Sequence, residues 1–437
     1  MDAPIFDFVQ RYAESNTLRL HMPGHKGMGP LGCEGLDITE IGGADSLYEA
    51  EDIIAQSEAN ATFLFGCPTS YSTEGSSQCI RAMLHLATCG KNRKVAAARN
   101  VHKTFLSAVA LLDLEVDWLY PEVKSAYLSC HITVQMLERY FASCEEAPAA
   151  VYITSPDYLG NMQDIAALAT VCHHHGALLL VDNAHGAYLR FLASSQHPMD
   201  LGADLCCDSA HKTLPVLTGG AYLHIRNKDM AAQAKNALAL FGSTSPSYLI
   251  LQSLDAANPL LAGAYPAQLQ EFVREVEACK LRLAKHGYCF AGNEPMKLTV
   301  KAKPYGYTGA ALAQLLRENG IECEFADPDY LVLMPTPKTG VAGLQHLENA
   351  LRQIPQKTPI TDAPPTLSRP ERMRSIRDAL LCPAETVPAA QSLGRVLAAA
   401  SVGCPPAVPI VACGERIDEG AIACFSYYGI EYCQVCK

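Results

Sequence analysis

A lysine delivered to the end of a buried strand is the first residue of this sequence that asks for a chemical explanation. The segment Ser209-Ala210-His211-Lys212-Thr213-Leu214-Pro215 follows the apolar run Ala203–Cys207 and precedes Thr218-Gly219-Gly220. Burying an ammonium is costly, so such a lysine is either a loop residue whose stem packs or an amine put to use. An amine there can attack a carbonyl and form a Schiff base. Upstream, Leu178-Leu179-Leu180-Val181 brings Asp182 to another strand terminus, followed by Asn183-Ala184-His185-Gly186. Open α/β sheets bind ligands beyond the carboxyl ends of their strands, which places Asp182 and Lys212 at neighbouring strand ends on one edge. Taken alone, Asp182 reads as a helix N-cap or turn residue.

Together the two residues make a specific pair. A carboxylate facing a pyridinium nitrogen, opposite a Schiff-base lysine, is what pyridoxal 5′-phosphate (PLP) requires. A third element suits the phosphate: Ser72-Thr73-Glu74-Gly75-Ser76-Ser77 opens a helix with Ile80, Met83, Leu84 and Ala87 on one face. Glycine and hydroxyl residues at a helix start offer N–H donors and a positive dipole end, although serine-rich caps are common without a ligand. A fourth is Arg99-Asn100-Val101-His102-Lys103, which follows the strand Lys94–Ala98. His102 therefore stands at a strand end, where its ring stacks on a cofactor or sits solvated.

The elements that must position these residues are legible in the pattern. From Glu49 to about Ile225, short apolar runs alternate with helical periodicity. Strands are expected at Lys94–Ala98, Val116–Tyr120, Ala149–Thr154, Ala177–Asp182, Ala203–Cys207 and Gly220–Ile225, and a helix at Asp164–His175 closed by Gly176. That alternation predicts an α/β domain with a mainly parallel, buried sheet. Ile5, Phe8, Val9 and Tyr12 predict a short N-terminal helix, and His21–Gly43 an arm or loop rich in Gly and Pro. A long helix from about Pro266, helices near Thr308–Asn319 and Val341–Ile354, and the run Tyr330–Met334 predict a smaller α+β domain. Pro355, Pro359, Pro364, Pro365 and Pro370 mark a stiff linker to a last module. The domain boundaries expected are 1–45 for the helix and arm, 46–240 for the large domain, 241–358 for the small domain and 359–437 for the C-terminal module.

Composition excludes several classes. The chain has 437 residues, 49% hydrophobic and 18% charged, which suits a folded protein of two or three domains. Its net charge of −11, without a Lys/Arg cluster, argues against nucleic acid. No signal peptide or membrane span is expected, because Asn236–Leu254 carries polar residues throughout and Val396–Gly414 is broken by prolines. Eighteen scattered cysteines then point to reduced thiols and a cytoplasmic location. Cys433-Gln-Val-Cys436 has zinc-type spacing but lacks a second close ligand pair, and His173-His174-His175 point in different directions on a helix; no metal is assigned.

These motifs carry a family resemblance. His21-Met22-Pro23-Gly24-His25-Lys26, Thr39-Glu40-Ile41-Gly42-Gly43-Ala44-Asp45, Ser72–Ser77, Arg99–Lys103, Val181–Gly186 and Ser209–Leu214 resemble, in order, the bacterial Orn/Lys/Arg decarboxylases. The likeness continues through Ser243-Thr244-Ser245-Pro246-Ser247-Tyr248 to Pro405-Pro406-Ala407-Val408-Pro409 and Gly414-Glu415. The resemblance implies a fold-type I PLP-dependent transferase-like large domain of the aspartate aminotransferase superfamily, a smaller α+β domain and a C-terminal decarboxylase module. Lys212 would then carry PLP, Asp182 would pair with the pyridine nitrogen and His102 would stack on the ring. Gly75, Ser76, Ser77, Ala184, His185, Ser209 and His211 would hold the phosphate or brace the cofactor. Thr244 would reach a neighbouring subunit's phosphate in a homodimer, or higher homo-oligomer, with shared sites. The chain departs from the family at Glu74 (usually Asn), Asn183 (usually Glu), Thr218-Gly219 (commonly Thr-Gln) and Tyr188 (commonly His).

The implied reaction is α-decarboxylation of lysine, ornithine or arginine to the corresponding polyamine-type amine and CO₂. Asp45 and Glu415 are the candidates to meet the substrate's distal cation, with His211 or Lys212 as proton donor to Cα. Another fold-type I reaction, aminotransfer or β-elimination, stays open, as does a non-catalytic paralogue. Intact Lys212, Asp182 and His102 speak against the last.

Overall fold

The computed structural model describes residues 1–122, 127–366, 368–404 and 408–437, so Pro405, Pro406 and Ala407 of the C-terminal motif lie outside it. Seven strands accompany the candidate residues: β1 Thr69–Ser72, β2 Lys94–Ala98, β3 Glu115–Leu119, β4 Ala150–Thr154, β5 Leu178–Asp182, β6 Leu205–Asp208 and β7 Ala221–Ile225. The helices of the same region are α1 Pro4–Glu14, α2 Ile53–Phe65, α3 Gly75–Thr88, α4 Lys103–Leu112, α5 Val134–Ser143, α6 Ile165–His174 and α7 Ala210–Thr213. The chain divides into two compact units, Met1–Lys91 with Ile165–Leu269, and Asn92–Asp164 with Gln270–Lys437.

In the first unit the strands run in the order β1, β7, β6, β5. β5 and β6 are parallel, pairing Leu180 with Leu205, Val181 with Cys206 and Asp182 with Cys207. β7 is antiparallel to both β6 and β1. Leu179, Leu180, Val181, Cys206, Cys207 and Leu223 are all fully buried. That is why the strands read as continuous apolar runs rather than alternations, each large aliphatic contributing roughly 1.5–3 kcal/mol. β1 is hidden at the sequence level, because Thr-Ser-Tyr-Ser has no apolar run; Tyr71 supplies its buried anchor. Helix α3 turns Cys79, Ile80, Met83, Leu84 and Ala87 inward and packs against β6 and β7.

In the second unit β4, β2 and β3 form a parallel run, Val95 pairing with both Val116 and Ala150. A four-stranded antiparallel sheet follows, with Tyr330–Leu333 between Phe325–Ala326 and Leu298–Lys301, and Cys289–Ala291 beyond. Helices Gly309–Glu318 and Gly340–Gln353 accompany it, as the α+β expectation required. Near the C-terminus Ala384–Pro388 pairs antiparallel with Tyr432–Cys436 around Leu397, Ile410, Ile417, Phe425 and Val435. No helix among the described residues is long and apolar enough to cross a membrane.

Candidate active site

Lys212 does not sit on the strand end itself. β6 stops at Asp208, and Lys212 lies in the single turn of α7, where its N–H donates to the Ser209 carbonyl at 3.0 Å. The half-buried Lys212 places Nζ 2.9 Å from Nε2 of His185, a buried residue just beyond β5. His211 donates twice to one acceptor, the Gly220 carbonyl, through its backbone N–H at 3.2 Å and Nδ1–H at 2.9 Å. Burial lowers its pKa; the Gly220 bond raises it in part, and the neighbouring Lys212 charge lowers it further.

Asp182 ends β5 and is 3% exposed. Its Oδ1 accepts from the Ala184 N–H at 3.1 Å and from the Cys207 thiol at 3.8 Å. The cross-strand pairing of Asp182 with Cys207 fixes which residue faces the carboxylate. Burial, then the Asp182 charge, pushes the Cys207 thiol well above its ordinary pKa, so it stays a neutral donor.

The third element is the start of α3. Gly75 adopts φ +69°, and its N–H donates to the Gly219 carbonyl at 2.7 Å. Gly219 itself has φ +101°, and a Cβ there would lie 2.8 Å from the Thr73 carbonyl oxygen. The departure from Thr-Gln is therefore built into this loop's backbone. Ser209 Oγ donates to Ser76 Oγ at 2.8 Å, joining the segment that carries Lys212 to the helix start. Glu74 turns away from this cradle: its carboxylate accepts from the N–H of Ser243, in the loop that carries exposed Thr244. The acid thus braces a loop instead of opposing an anion.

An amine, a buried carboxylate, an imidazole, and hydroxyls at the N-terminus of a 14-residue helix belong to this one unit. Their chemistry fits the aldehyde, ring nitrogen and phosphate of PLP. His102 belongs to the other unit, where it caps α4; its Nδ1 accepts from the Thr104 N–H at 3.2 Å, which puts the ring proton on Nε2.

Asp45 and Glu415 are engaged elsewhere. The Asp45 carboxylate accepts from four backbone N–H groups, those of Ser46, Glu51, Asp52 and Ile54, and so caps the start of α2. Glu415 Oε2 accepts from Arg99 Nη2 at 2.6 Å and the Ala412 N–H at 2.7 Å, both side chains being 3% exposed. These contacts tie both carboxylates into local structure. What the sequence reading missed is a buried cluster: Asp208, His197, His224 and Asn183, all at 0% exposure. Its signal was present, as titratable residues within or beside apolar strands.

The α/β topology defines the class as a fold-type I architecture. The family model "Orn/Lys/Arg decarboxylase, major domain" matches residues 3–300, and the chain belongs to that family. It is a decarboxylase enzyme by that membership. It is similar to a protein named arginine decarboxylase from Halalkalibacterium halodurans, 29% identical over 96% of this chain and 92% of the relative. A Bacillus subtilis arginine decarboxylase is likewise 29% identical, over 97% and 92%. In fold it matches the Francisella novicida lysine decarboxylase with a TM-score of 0.80 at 16% identity, covering 100% of this chain and 81% of that one. The Escherichia coli constitutive lysine decarboxylase gives 0.77 at 18%, covering 100% and 82%.

Proposed function

We propose that this chain removes the α-carboxylate of a basic amino acid as CO₂, with PLP as cofactor and arginine as the first substrate to test. The observation that carries the reading is the Lys212–His185 contact beside the buried Asp182 at the end of β5. The substrate class is supported by family membership and by full-length relatives named arginine decarboxylase.

PLP, when bound, supplies an electron sink for the pair left behind as the Cα–carboxylate bond breaks. Lys212 would hold it at the aldehyde and Asp182 at the ring nitrogen, with Ser76, Ser77, Ser209 and His211 around the phosphate. Asp182 favours a proton on its partner nitrogen, because an opposite charge at close range stabilises the cation. The Ala184 N–H and the Cys207 thiol are neutral donors that help orient the carboxylate. Lys212 Nζ and His185 Nε2 are close enough to pass a proton between them, so the pair can take up and return the proton that Cα needs. His211 is poorly suited to that step near neutral pH: its proton sits on Nδ1 toward Gly220, and burial keeps the ring neutral. The chain works in the cytoplasm as a homodimer or higher homo-oligomer, with Thr244 of one subunit completing the site of its neighbour.

The test is product analysis by mass spectrometry with carboxyl-labelled arginine, lysine and ornithine, each supplied separately with PLP. Labelled CO₂ together with agmatine is the expected result. A keto acid in place of CO₂ would overturn the reaction type; CO₂ from lysine or ornithine alone would overturn arginine.

A further inference from the structure

One buried charge takes no part in the reading above. Asp208 Oδ2 accepts from His197 Nε2 at 3.0 Å and from His224 Nε2 at 3.1 Å. Its Oδ1 accepts from Asn183 Nδ2 at 2.6 Å and from the Cys206 thiol at 3.7 Å. The Met199 N–H donates to His197 Nδ1 at 3.3 Å, which puts that ring's proton on Nε2 and makes it a donor to the carboxylate rather than a metal ligand. Burial alone would push Asp208 up, but the facing imidazoles of His197 and His224 hold it well below the usual carboxylate range. The result is a fully buried carboxylate surrounded by donors.

Asn183 is the informative member. Its backbone N–H donates to the Cys207 carbonyl at 3.0 Å, and its side chain reaches across to the end of β6. Turned over, the amide would aim its oxygen at the Asp208 carboxylate, so the charge dictates the orientation. In that orientation Oδ1 is buried without a hydrogen-bond partner. The turn is built around it: a Cβ on Gly186 would lie 1.9 Å from that oxygen. A side chain held with one end unsatisfied implies that the other end matters. Asn183 directly follows Asp182, and Asp208 directly precedes Ser209, which bonds Ser76 and opens the turn of Lys212.

We propose that Asn183 and Asp208 form a buried amide–carboxylate clasp that fixes the spacing between the strand ends carrying Asp182 and Ser209–Lys212, which makes both positioning residues for the cofactor site. The proposal rests on the PLP reading of that site. A carboxylate at 183 would face Asp208 with both side chains fully buried. The requirement is for one amide and one acid, so exchanging them restores what a single acid destroys.

The experiment uses the full chain, prepared free of PLP, as wild type, N183D, D208N, the exchange N183D/D208N, and N183A. Two quantities are read: the thermal midpoint without PLP, and the PLP dissociation constant with the visible absorbance of the complex. N183D is expected to lower the midpoint and weaken PLP binding at least about tenfold, and the exchange to return it to within about threefold of wild type. N183A adds no charge, so it remains foldable if N183D is not; it is expected to weaken PLP binding about fivefold and shift the absorbance band. An exchange variant no better than the worse single, or N183A with wild-type affinity and band, overturns the clasp. Wild type that takes up no PLP defeats the cofactor reading instead. The midpoint cycle needs no PLP, and independent effects at 183 and 208 in it defeat the clasp by themselves.

Discussion

Lys212 Nζ and His185 Nε2 stand 2.9 Å apart, although one lies in a turn after β6 and the other in the loop after β5. The two residues respond differently to removal. Lys212→Ala takes away the only group proposed to carry the cofactor covalently, and CO₂ release should fall by at least about 10³-fold. His185→Gln keeps a hydrogen-bonding group but cannot move a proton, so kcat should fall about 10²-fold while PLP still binds. Borohydride reduction followed by peptide mass analysis checks the first, since wild type but not K212A should gain the cofactor mass on the Lys212 peptide. The pH profile of kcat checks the second, by loss of one limb in H185Q.

Glu415 offers a sharper discrimination, because substrate binding and structure make opposite demands on it. The structure pairs it with Arg99, whose guanidinium also lies 4.8 Å from the Trp118 ring centre and leaves Nε and Nη1 without partners. Glu415→Gln should therefore strand a buried cation and lower stability by about 3 kcal/mol in urea unfolding. KM for the substrate should stay within about twofold of wild type. A raised KM at unchanged stability would return Glu415 to the substrate site.

How much of this was legible beforehand follows from the kind of signal each residue gives. β2, β4, β5 and β7 were visible because strands buried on both faces must be apolar, and Asp182 stood out as the charge that ends such a run. Lys212 was found for the same reason, but its place in a one-turn helix was not, since four residues carry no periodicity. β1 went unread because its composition is that of a loop. Glu415 is occupied by a partner far away in sequence, Arg99, which pattern cannot reveal, whereas Asp45 is held by backbone N–H groups no more than nine residues further on. The role of Glu74 beside the anion site depends, like that of Glu415, on a distant partner, the Ser243 N–H.

Asp255 gives the pH dependence. Its side chain joins α1 to the helix Tyr248–Ala262, accepting from the Phe6 N–H at 2.9 Å and Ser57 Oγ at 2.5 Å. Burial pushes its pKa up to about 6, from 3.8 in the unfolded chain, and the Ser57 and Phe6 bonds offset only part of this. Between those values the folded protein keeps a proton that the unfolded chain has lost. Its stabilising contribution is therefore complete below pH 3.8 and lost as pH rises through about 6. Asp255→Asn cannot ionise, and its amide can turn to give Phe6 an acceptor and Ser57 a donor. It should be more stable than wild type by roughly 2 kcal/mol at pH 8, with the difference shrinking toward pH 4. Urea midpoints across that range measure it; a difference that does not change with pH would refute the assignment.

The arm after α1 bears on assembly. Leu18, Leu20, Met22, Met28 and Leu31 lie within fourteen residues and are 78%, 83%, 67%, 75% and 81% exposed. Scattered apolar residues are ordinary on a surface, but five this exposed in one short segment are a concentration of the kind that another chain covers. A second copy is the partner that the proposed shared site requires, because Thr244 then has a neighbouring phosphate to reach. Burying a leucine at an interface contributes roughly 1.5–3 kcal/mol, so replacing Leu18 and Leu20 together by serine should weaken self-association by at least about 10²-fold. Sedimentation velocity across a concentration series should show dimer for wild type and a shift to monomer for L18S/L20S, with CO₂ release falling in step. Wild type that stays monomeric at about 50 μM, where a dimer of micromolar Kd is mostly assembled, would defeat the shared-site arrangement. A dissociated variant that keeps full activity would defeat it too, since each subunit would then hold a complete site of its own.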